Sequence, residues 1–163
     1  MKQRLRGVCD IMVSRSNSKE ITLYGRGLVE GEGEGEAIVI RSPFSFAHGV
    51  DPKTGMAIDM RQAPEIYGKI ITGKVLVYPC GRGSTTGASW FLEAVRCGNY
   101  PSAIINIESE IIIVGGAVQA SIFYGKNIPI VDRLNKNPLE VITTGDYVKV
   151  EVKGRKGVVK VIK

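Results

Sequence analysis

The amino-acid sequence predicts a mixed β/α domain in which strands dominate and part of the sheet is barrel-like. In the middle of the chain, short continuous apolar runs alternate with two segments of helical periodicity, which is typical of buried strands connected through helices. Near the end, two runs that alternate apolar and polar residues flank the turn at 153–157. We therefore expect an antiparallel hairpin of residues 147–152 and 158–162.

The predicted buried strands are residues 74–78, 103–107, 111–114 and 129–131. A first helix is expected over 88–97, because its apolar residues recur at helical spacing and Gly98 follows as the residue that ends it. Gly115 and Gly116 are expected to break the chain before a second, short helix over 117–124.

Two segments before these elements are less regular. Residues 25–35 alternate glycine and glutamate ahead of a clear strand at 37–40, which favours a twisted strand with bulges at the glycines. A flexible lid or a cation site is the functional alternative. Residues 41–68 have few periodic apolar positions, and an irregular stretch of this length is unusual in a compact domain unless it has a function.

The length of 163 residues indicates one domain, which we place at 20–163 behind an N-terminal extension of residues 1–19 with a short strand at 8–13. The formal net charge is +6, but the sequence has no nucleic-acid-binding motif. We therefore expect no nucleic-acid partner. A small anionic substrate or an acidic partner subunit accounts for the charge equally well.

Neither metal ligands nor membrane segments are predicted. Cys9, Cys80 and Cys97 are widely spaced and His48 is the only histidine, so the ligand spacing of a metal or cluster site is missing. An odd number of cysteines favours a reducing compartment. The charged N-terminus does not look like a signal peptide, and no apolar run approaches the ~20 residues that span a bilayer, so we expect a cytoplasmic location without membrane contact.

The chemistry is predicted in the loop GRGSTTG, which follows a buried strand and opens a helix. One of Ser84, Thr85 and Thr86 is expected as the N-cap, and the unpaired N–H groups of the first turn carry partial positive charge. Gly83 allows close approach of a ligand and Arg82 adds a full charge, so we expect both to bind a carboxylate or phosphate. The structural alternative is an ordinary helix cap beside a tight turn.

Four motifs carry a resemblance to a known family: SFAHGVDPKTG (45–55), YGKIITGKVLVYPCGRGSTTGAS (67–89), PSAIIN (101–106) and NIPIVDRL (127–134). Together they resemble the small subunit of the aconitase X family, and GRGSTTG resembles the serine loop of the aconitase swivelling domain. The resemblance covers roughly residues 25–150. It implies an α/β swivelling β/β/α domain similar to the aconitase C-terminal domain. It also implies a hydro-lyase subunit without its own cofactor, active only with a large subunit that carries a 4Fe–4S iron–sulfur cluster.

The resemblance also implies roles for individual residues. Ser84 falls on the family's proton-abstracting serine, and Thr85 and Thr86 fall on the adjacent substrate-binding positions. In ordinary aconitase the residue that matches Thr86 is an arginine, which binds a substrate carboxylate. Because this chain has threonine there, citrate and isocitrate are not expected substrates. Gly49 and Asp51 are added to the predicted substrate-binding set because the resemblance places their segment beside the serine loop. For Asp51, a turn is the alternative.

Other side chains have competing interpretations. His48 is a candidate general acid or base, and a position at a subunit interface is the alternative. Cys80 is expected to be a small buried residue rather than a nucleophile, since no base has a matching position. Arg133 faces a partner or substrate, or is simply a solvated charge. Trp90 is expected in the core.

Within the family, the overall pattern of this chain resembles that of archaeal small subunits. Their enzymes convert mevalonate 5-phosphate to trans-anhydromevalonate 5-phosphate in isoprenoid synthesis. One alternative is dehydration of cis-3-hydroxy-L-proline; another, from a different class, is a non-catalytic domain that holds an anion for regulation. A serine is a base only when it is ionised. A helix terminus stabilises an ionised group by about 0.3–2 kcal/mol. Because one pKa unit corresponds to about 1.4 kcal/mol, the helix lowers the pKa of the serine hydroxyl by only about one unit, which is not enough to ionise it. We therefore expect the isolated chain to be inactive.

Overall fold

The structure is a computed structural model, and it describes residues 19–163 of the chain. The predicted strand at 8–13 and all but the last residue of the predicted extension lie outside the described residues. The domain boundary at residue 20 stays a prediction.

Seven strands of residues 19–163 form a single sheet that closes into a ring in the order β1-β5-β4-β3-β2-β6-β7, with β7 pairing back to β1. The strands are β1 (Glu20–Val29), β2 (Gly31–Val39), β3 (Val75–Tyr78), β4 (Ala103–Asn106), β5 (Ile130–Asp132), β6 (Tyr147–Lys153) and β7 (Lys156–Ile162). The helices are α1 (Thr86–Arg96), α2 (Ile111–Tyr124) and the short α3 (Pro138–Val141), and Pro64–Ile66 forms a 3-10 turn. The predicted mixed α/β fold with a barrel-like sheet is confirmed.

The parallel part of the ring determines where loops meet. β2, β3, β4 and β5 run parallel to one another, and α1 and α2 are the connections that follow β3 and β4. The carboxyl ends of parallel strands lie at one edge of a sheet, so the loops that precede α1 and α2 come together there. We call this the helix-entry edge.

The continuous apolar runs of the parallel strands are explained by burial on both faces. Val75 and Val77 of β3 point into the ring, where they pack among side chains of the antiparallel strands. Leu76 and Tyr78 point the other way, against the helices and the irregular segment 41–68. Phe44 of that segment meets Tyr78 edge to face, with ring centroids 5.6 Å apart. The irregular segment is therefore anchored by buried aromatic rings.

The sequence prediction was wrong over residues 111–116. These residues form no strand and no chain break; they are the first turns of α2. The Glu110 side chain caps the helix by accepting hydrogen bonds from the N–H groups of Ile112 and Ile113. Gly116 lies inside this helix, where a Cβ would stand 3.2 Å from the Phe91 ring and 3.3 Å from the Ala88 backbone of α1. The glycine thus permits close packing of two helices.

The glycine–glutamate stretch is not one strand either. The chain turns a corner at Glu30 between β1 and β2, and the two strands do not pair with each other. A bulge in the β1 register between Gly27 and Val29 agrees with part of the prediction. In β2, a Cβ on Gly33 would stand 2.0 Å from the Ser102 carbonyl oxygen, which gives this glycine a packing role. The hairpin of β6 and β7 is confirmed, with a turn tighter than predicted.

Candidate active site at the helix-entry edge

The serine loop is held in place by the irregular segment. The backbone N–H of Phe44 donates to the Cys80 carbonyl over 3.0 Å, and the N–H of Arg82 donates to the Phe44 carbonyl over 3.1 Å. These two bonds form a parallel bridge between Phe44 and Gly81, like a short extension of the sheet. These hydrogen bonds therefore fix the path of the loop after β3 as far as Arg82.

A second contact, between Gly81 and the side chain of Glu110, also holds the loop in place. A Cβ on Gly81 would stand 2.2 Å from a carboxylate oxygen of Glu110, so glycine is needed for the loop to lie against that side chain. Because Glu110 also caps α2, the start of α2 and the start of the serine loop are packed against one shared carboxylate. Sequence analysis did not identify Glu110, since its role depends on two elements that meet only in the fold.

The helix that follows begins with unpaired donors. Thr85 is the N-cap by position, but no side chain closes the cap. The carbonyls of Ser84 and Thr85 accept the first bonds, from Gly87 and Ala88. Within residues 19–163, the N–H groups of Gly83, Ser84, Thr85 and Thr86 have no acceptor. Consecutive free N–H groups at a helix N-terminus form a partially positive surface for an anion.

The Ser84 hydroxyl is exposed and lies 3.0 Å from the Thr86 hydroxyl. Either hydroxyl can donate, because an O–H rotates to suit its partner. If Thr86 donates, its proton points at the Ser84 oxygen. The pair thus provides a donor for negative charge on Ser84.

A cleft of about 400 Å³ opens beside Ser84. One wall is the loop, with Arg82, Gly83 and Ser84; the other wall is the irregular segment. The side chains and backbone of that second wall belong to Ser45, Ala47, His48, Asp59, Arg61 and Gln62. The expectation that this irregular segment lies beside the serine loop agrees with this arrangement.

Positive charge dominates the cleft. Arg61 and Arg82 face it together with one carboxylate, that of Asp59, which lies 4.0 Å from the Arg61 guanidinium. In the part of the chain that the structure describes, Arg82 has no carboxylate within 4 Å. Asp59 is engaged by its own turn, where it accepts from the N–H groups of Arg61 and Gln62. An arginine without a carboxylate partner and a row of free N–H groups are arranged to bind an anionic ligand.

Asp59, Arg61 and Gln62 were missed by sequence analysis. They lie in an irregular stretch where no periodic signal distinguishes one polar residue from the next. Gln62 is buried and accepts the Ser45 N–H, which ties the two halves of the segment together. Only the folded path of residues 41–68 brings them to the cleft.

The predicted residues of the 45–55 motif do not all reach the cleft. Gly49 is buried behind it, where a Cβ would stand 2.1 Å from the Ser45 carbonyl oxygen. Asp51 closes a turn by accepting from the Thr54 hydroxyl and the Lys53 N–H, and these bonds hold the pKa of its carboxyl below the usual value. Thr85 and Thr86 are exposed at the rim.

The remaining candidates have structural surroundings. The His48 ring lies at the cleft with its centroid 4.8 Å from that of Trp90, which is partly buried against the core. Cys80 is half-buried rather than buried. Arg133 is exposed and paired with Glu108.

Two kinds of feature are absent from residues 19–163, a metal-binding cluster and a membrane-spanning helix. No group of three or more His, Cys, Asp or Glu side chains there is placed to hold a metal ion. None of the helices in the same range is long and apolar enough to cross a membrane.

Comparisons with known proteins identify relatives over nearly the same residues. The phosphomevalonate dehydratase small subunit of Methanosarcina acetivorans is 41% identical over 143 residues, which cover 88% of this chain and 92% of that protein. The protein of the same name from Pyrococcus furiosus is 40% identical over 140 residues, or 86% of this chain and 95% of that one. The crystal structure of holo-form aconitase X from Thermococcus kodakaraensis superimposes with a TM-score of 0.76 at 37% identity, covering 88% of this chain and 99% of that chain.

A family-level match agrees with these relatives. The sequence matches the aconitase X swivel domain over residues 22–161, which include the serine loop and all seven strands except the first two residues of β1 and the last residue of β7. The chain belongs to the aconitase X swivel domain family.

Proposed function

We propose that this chain is the small subunit of a cytoplasmic hydro-lyase that converts mevalonate 5-phosphate to trans-anhydromevalonate 5-phosphate. The observation that carries the proposal is the exposed serine at a helix N-terminus in a cleft with two arginines. Relatives at about 40% identity that bear the name phosphomevalonate dehydratase small subunit support this substrate over cis-3-hydroxy-L-proline. A substrate with both a carboxylate and a phosphate also fits the excess of positive charge in the cleft.

In this proposal, Ser84 removes a proton from the carbon next to the hydroxyl-bearing carbon of the substrate. The hydroxyl group leaves as the carbon–carbon double bond forms, and it becomes water by taking a proton from solvent. The proton removed from carbon stays on the Ser84 oxygen until it is passed to solvent, so the net loss from the substrate is one water molecule. Negative charge on Ser84 before proton transfer is stabilised by the Thr86 hydroxyl at 3.0 Å, by the free N–H groups of the loop and by Arg82.

Arg82 and Gly83 bind an anionic group of the substrate, with Arg61 as a second cation on the opposite wall. Asp59 and Gln62 position that wall through their hydrogen bonds to the backbone of the irregular segment. Thr85 and Thr86 offer backbone N–H groups at the rim. Gly49 and Asp51 are better explained as packing and turn residues, and we give them no direct contact with the substrate.

The cleft is open to solvent in this chain, where the field of a helix terminus and an exposed arginine is weakened by water. Activity therefore requires the large subunit, which covers the cleft and excludes water. We assign the iron–sulfur cluster to that subunit.

The test is reconstitution of the chain with the large subunit of the same organism, followed by assays of mevalonate 5-phosphate and cis-3-hydroxy-L-proline. We expect turnover of the phosphate substrate by the complex and none by either subunit alone. Turnover of the proline substrate alone would contradict the assigned substrate while keeping the hydro-lyase chemistry. If the complex forms and turns over neither compound, a regulatory anion-binding domain becomes the better account.

A further inference from the structure

One face of α2 is apolar and exposed. Ile111 is 85% exposed, Ile122 is 71% exposed and Phe123 is 66% exposed, and Val118 is also exposed between them. Ile111, Val118 and Ile122 stand at positions i, i+7 and i+11, which fall on the same side of a helix. Phe123 follows Ile122 and extends this exposed apolar surface round the C-terminal end of the helix, and we call these four side chains the outer α2 face.

The composition of α2 is unusual for a helix at a surface. The 14 residues of Ile111–Tyr124 include no charged side chain. Its inner face, with Ile113, Gly116, Ala117 and Ala120, is already buried against α1 and the sheet. By contrast, α1 presents the charged pair Glu93 and Arg96 to solvent. A helix that is apolar all round is normally covered on all sides.

We infer that the outer α2 face is a docking surface for the large subunit, an inference that rests on the proposed function. The first turn of α2 reaches the active site, because Ile112 and Ile113 line one small cavity together with Arg82 and Gly87 of the serine loop. A partner that closes the cleft at the helix-entry edge therefore meets the beginning of this face. Ile107, 40% exposed just before α2, extends the apolar surface at the same edge.

The charge of the chain favours this occupant over a second copy of the same chain. Each chain has a formal net charge of +6, so two copies repel one another, which disfavours a second copy as the occupant. A stable interface buries about 800 Å² on each partner. The outer α2 face supplies the apolar centre of such an interface, and the polar cleft beside it supplies part of the rim.

The experiment measures the affinity of separately purified chain for immobilised large subunit. Ile122→Arg places a cation on the outer α2 face, close to the C-terminal end of the helix. It is expected to fold normally, since the side chain is exposed and a cation near a helix C-terminus is favourable. The matched control is Tyr24→Arg, a change at a 60% exposed tyrosine of β1.

We expect Ile122→Arg to raise the Kd at least about tenfold and Tyr24→Arg to leave it unchanged. Turnover per complex should return to the wild-type value when Ile122→Arg is assayed at saturating concentration. If Ile122→Arg binds as tightly as wild type while the wild-type complex is active, the docking surface is wrong and the proposed function stands. If binding falls as expected but the wild-type complex dehydrates neither substrate, the docking surface stands and the proposed function fails. Loss of self-association in the variant, with binding to the large subunit intact, would assign the face to a second copy instead.

Discussion

Two open concavities on this molecule differ in whether their charged groups are paired with one another. The larger, about 570 Å³, lies on the β2, β6 and β7 surface, where Glu34 and Lys149 face each other at 3.1 Å. In the smaller one, about 400 Å³, Arg82 has no carboxylate partner among residues 19–163 and the N–H groups after it lack acceptors. Volume alone would select the larger concavity, whereas the charges favour the smaller one. Unsatisfied positive charge, which a ligand must complete, distinguishes a binding site from a solvated groove.

The comparison predicts that substitutions in the smaller cleft change activity with little change in stability. Ser84→Ala should reduce turnover by the reconstituted complex by about 10²–10⁴-fold, the usual contribution of a positioned base. Because Ser84 is exposed, the midpoint of thermal unfolding should not move. The control is Ser89→Ala, at an exposed serine inside α1, the helix that follows the serine loop. Equal losses in both variants would remove the special role of Ser84.

Removing one positive charge from each concavity tests the difference between them more sharply. Arg82→Gln is expected to lower kcat/KM by about tenfold or more, since a charge-assisted hydrogen bond contributes about 1.5–3 kcal/mol. Lys149→Gln in the larger groove should leave kcat/KM unchanged, because that lysine is already paired with Glu34. Steady-state kinetics of the two complexes decide the matter. Similar kinetics for both variants would contradict the distinction between the concavities.

The packing below the serine loop predicts a smaller effect, on stability. Gly81→Ala forces Glu110 out of its cap position, which should lower the free energy of unfolding by about 1 kcal/mol. Gly115→Ala, at a helix position with open space around it, should raise that free energy by up to about 1 kcal/mol. Chemical denaturation of the isolated chain measures both. A Gly81→Ala chain as stable as wild type would show that Glu110 is free to move.

The smallest effect is expected from the ion pair in the larger groove. The hydrogen bond and charge of Lys149 hold the pKa of Glu34 below its usual value. A carboxyl whose pKa is lowered on folding stabilises the native state at neutral pH, and that contribution is lost as the pH falls through the lowered pKa. The pair is exposed, so Glu34→Gln should change the Tm only slightly at neutral pH and not at all in stronger acid. A large difference would mean that the groove is not simply solvated.

Sequence reasoning predicted the elements whose cause is local. The apolar runs of β3, β4 and β5, the amphipathic α1 and the closing hairpin follow from periodicity and turn residues. It failed over residues 111–116, where β-branched residues and two glycines indicate a strand and a break. The outcome there depends on the Glu110 cap and on the fit of Gly116 against α1, both of which are tertiary contacts.

The same division holds for the site. Arg82, Gly83 and Ser84 were predicted because strand, glycine-rich turn and helix start are adjacent in the chain, and these three residues line the cleft. Their roles remain proposals. Arg61 and Asp59 belong to the opposite wall, which is built by an irregular segment folded over buried phenylalanines. No local pattern in that segment indicates which of its polar residues face inward.

The central claim, that Ser84 handles the substrate proton, is tested most directly by hydration of trans-anhydromevalonate 5-phosphate in D₂O with the reconstituted complex. The wild-type complex should place deuterium on the carbon that loses its proton in dehydration, as followed by NMR. The Ser84→Ala complex should bind the ligand with an unchanged Kd and incorporate deuterium at least about 100-fold more slowly. Deuterium incorporation at the wild-type rate in Ser84→Ala would contradict the account.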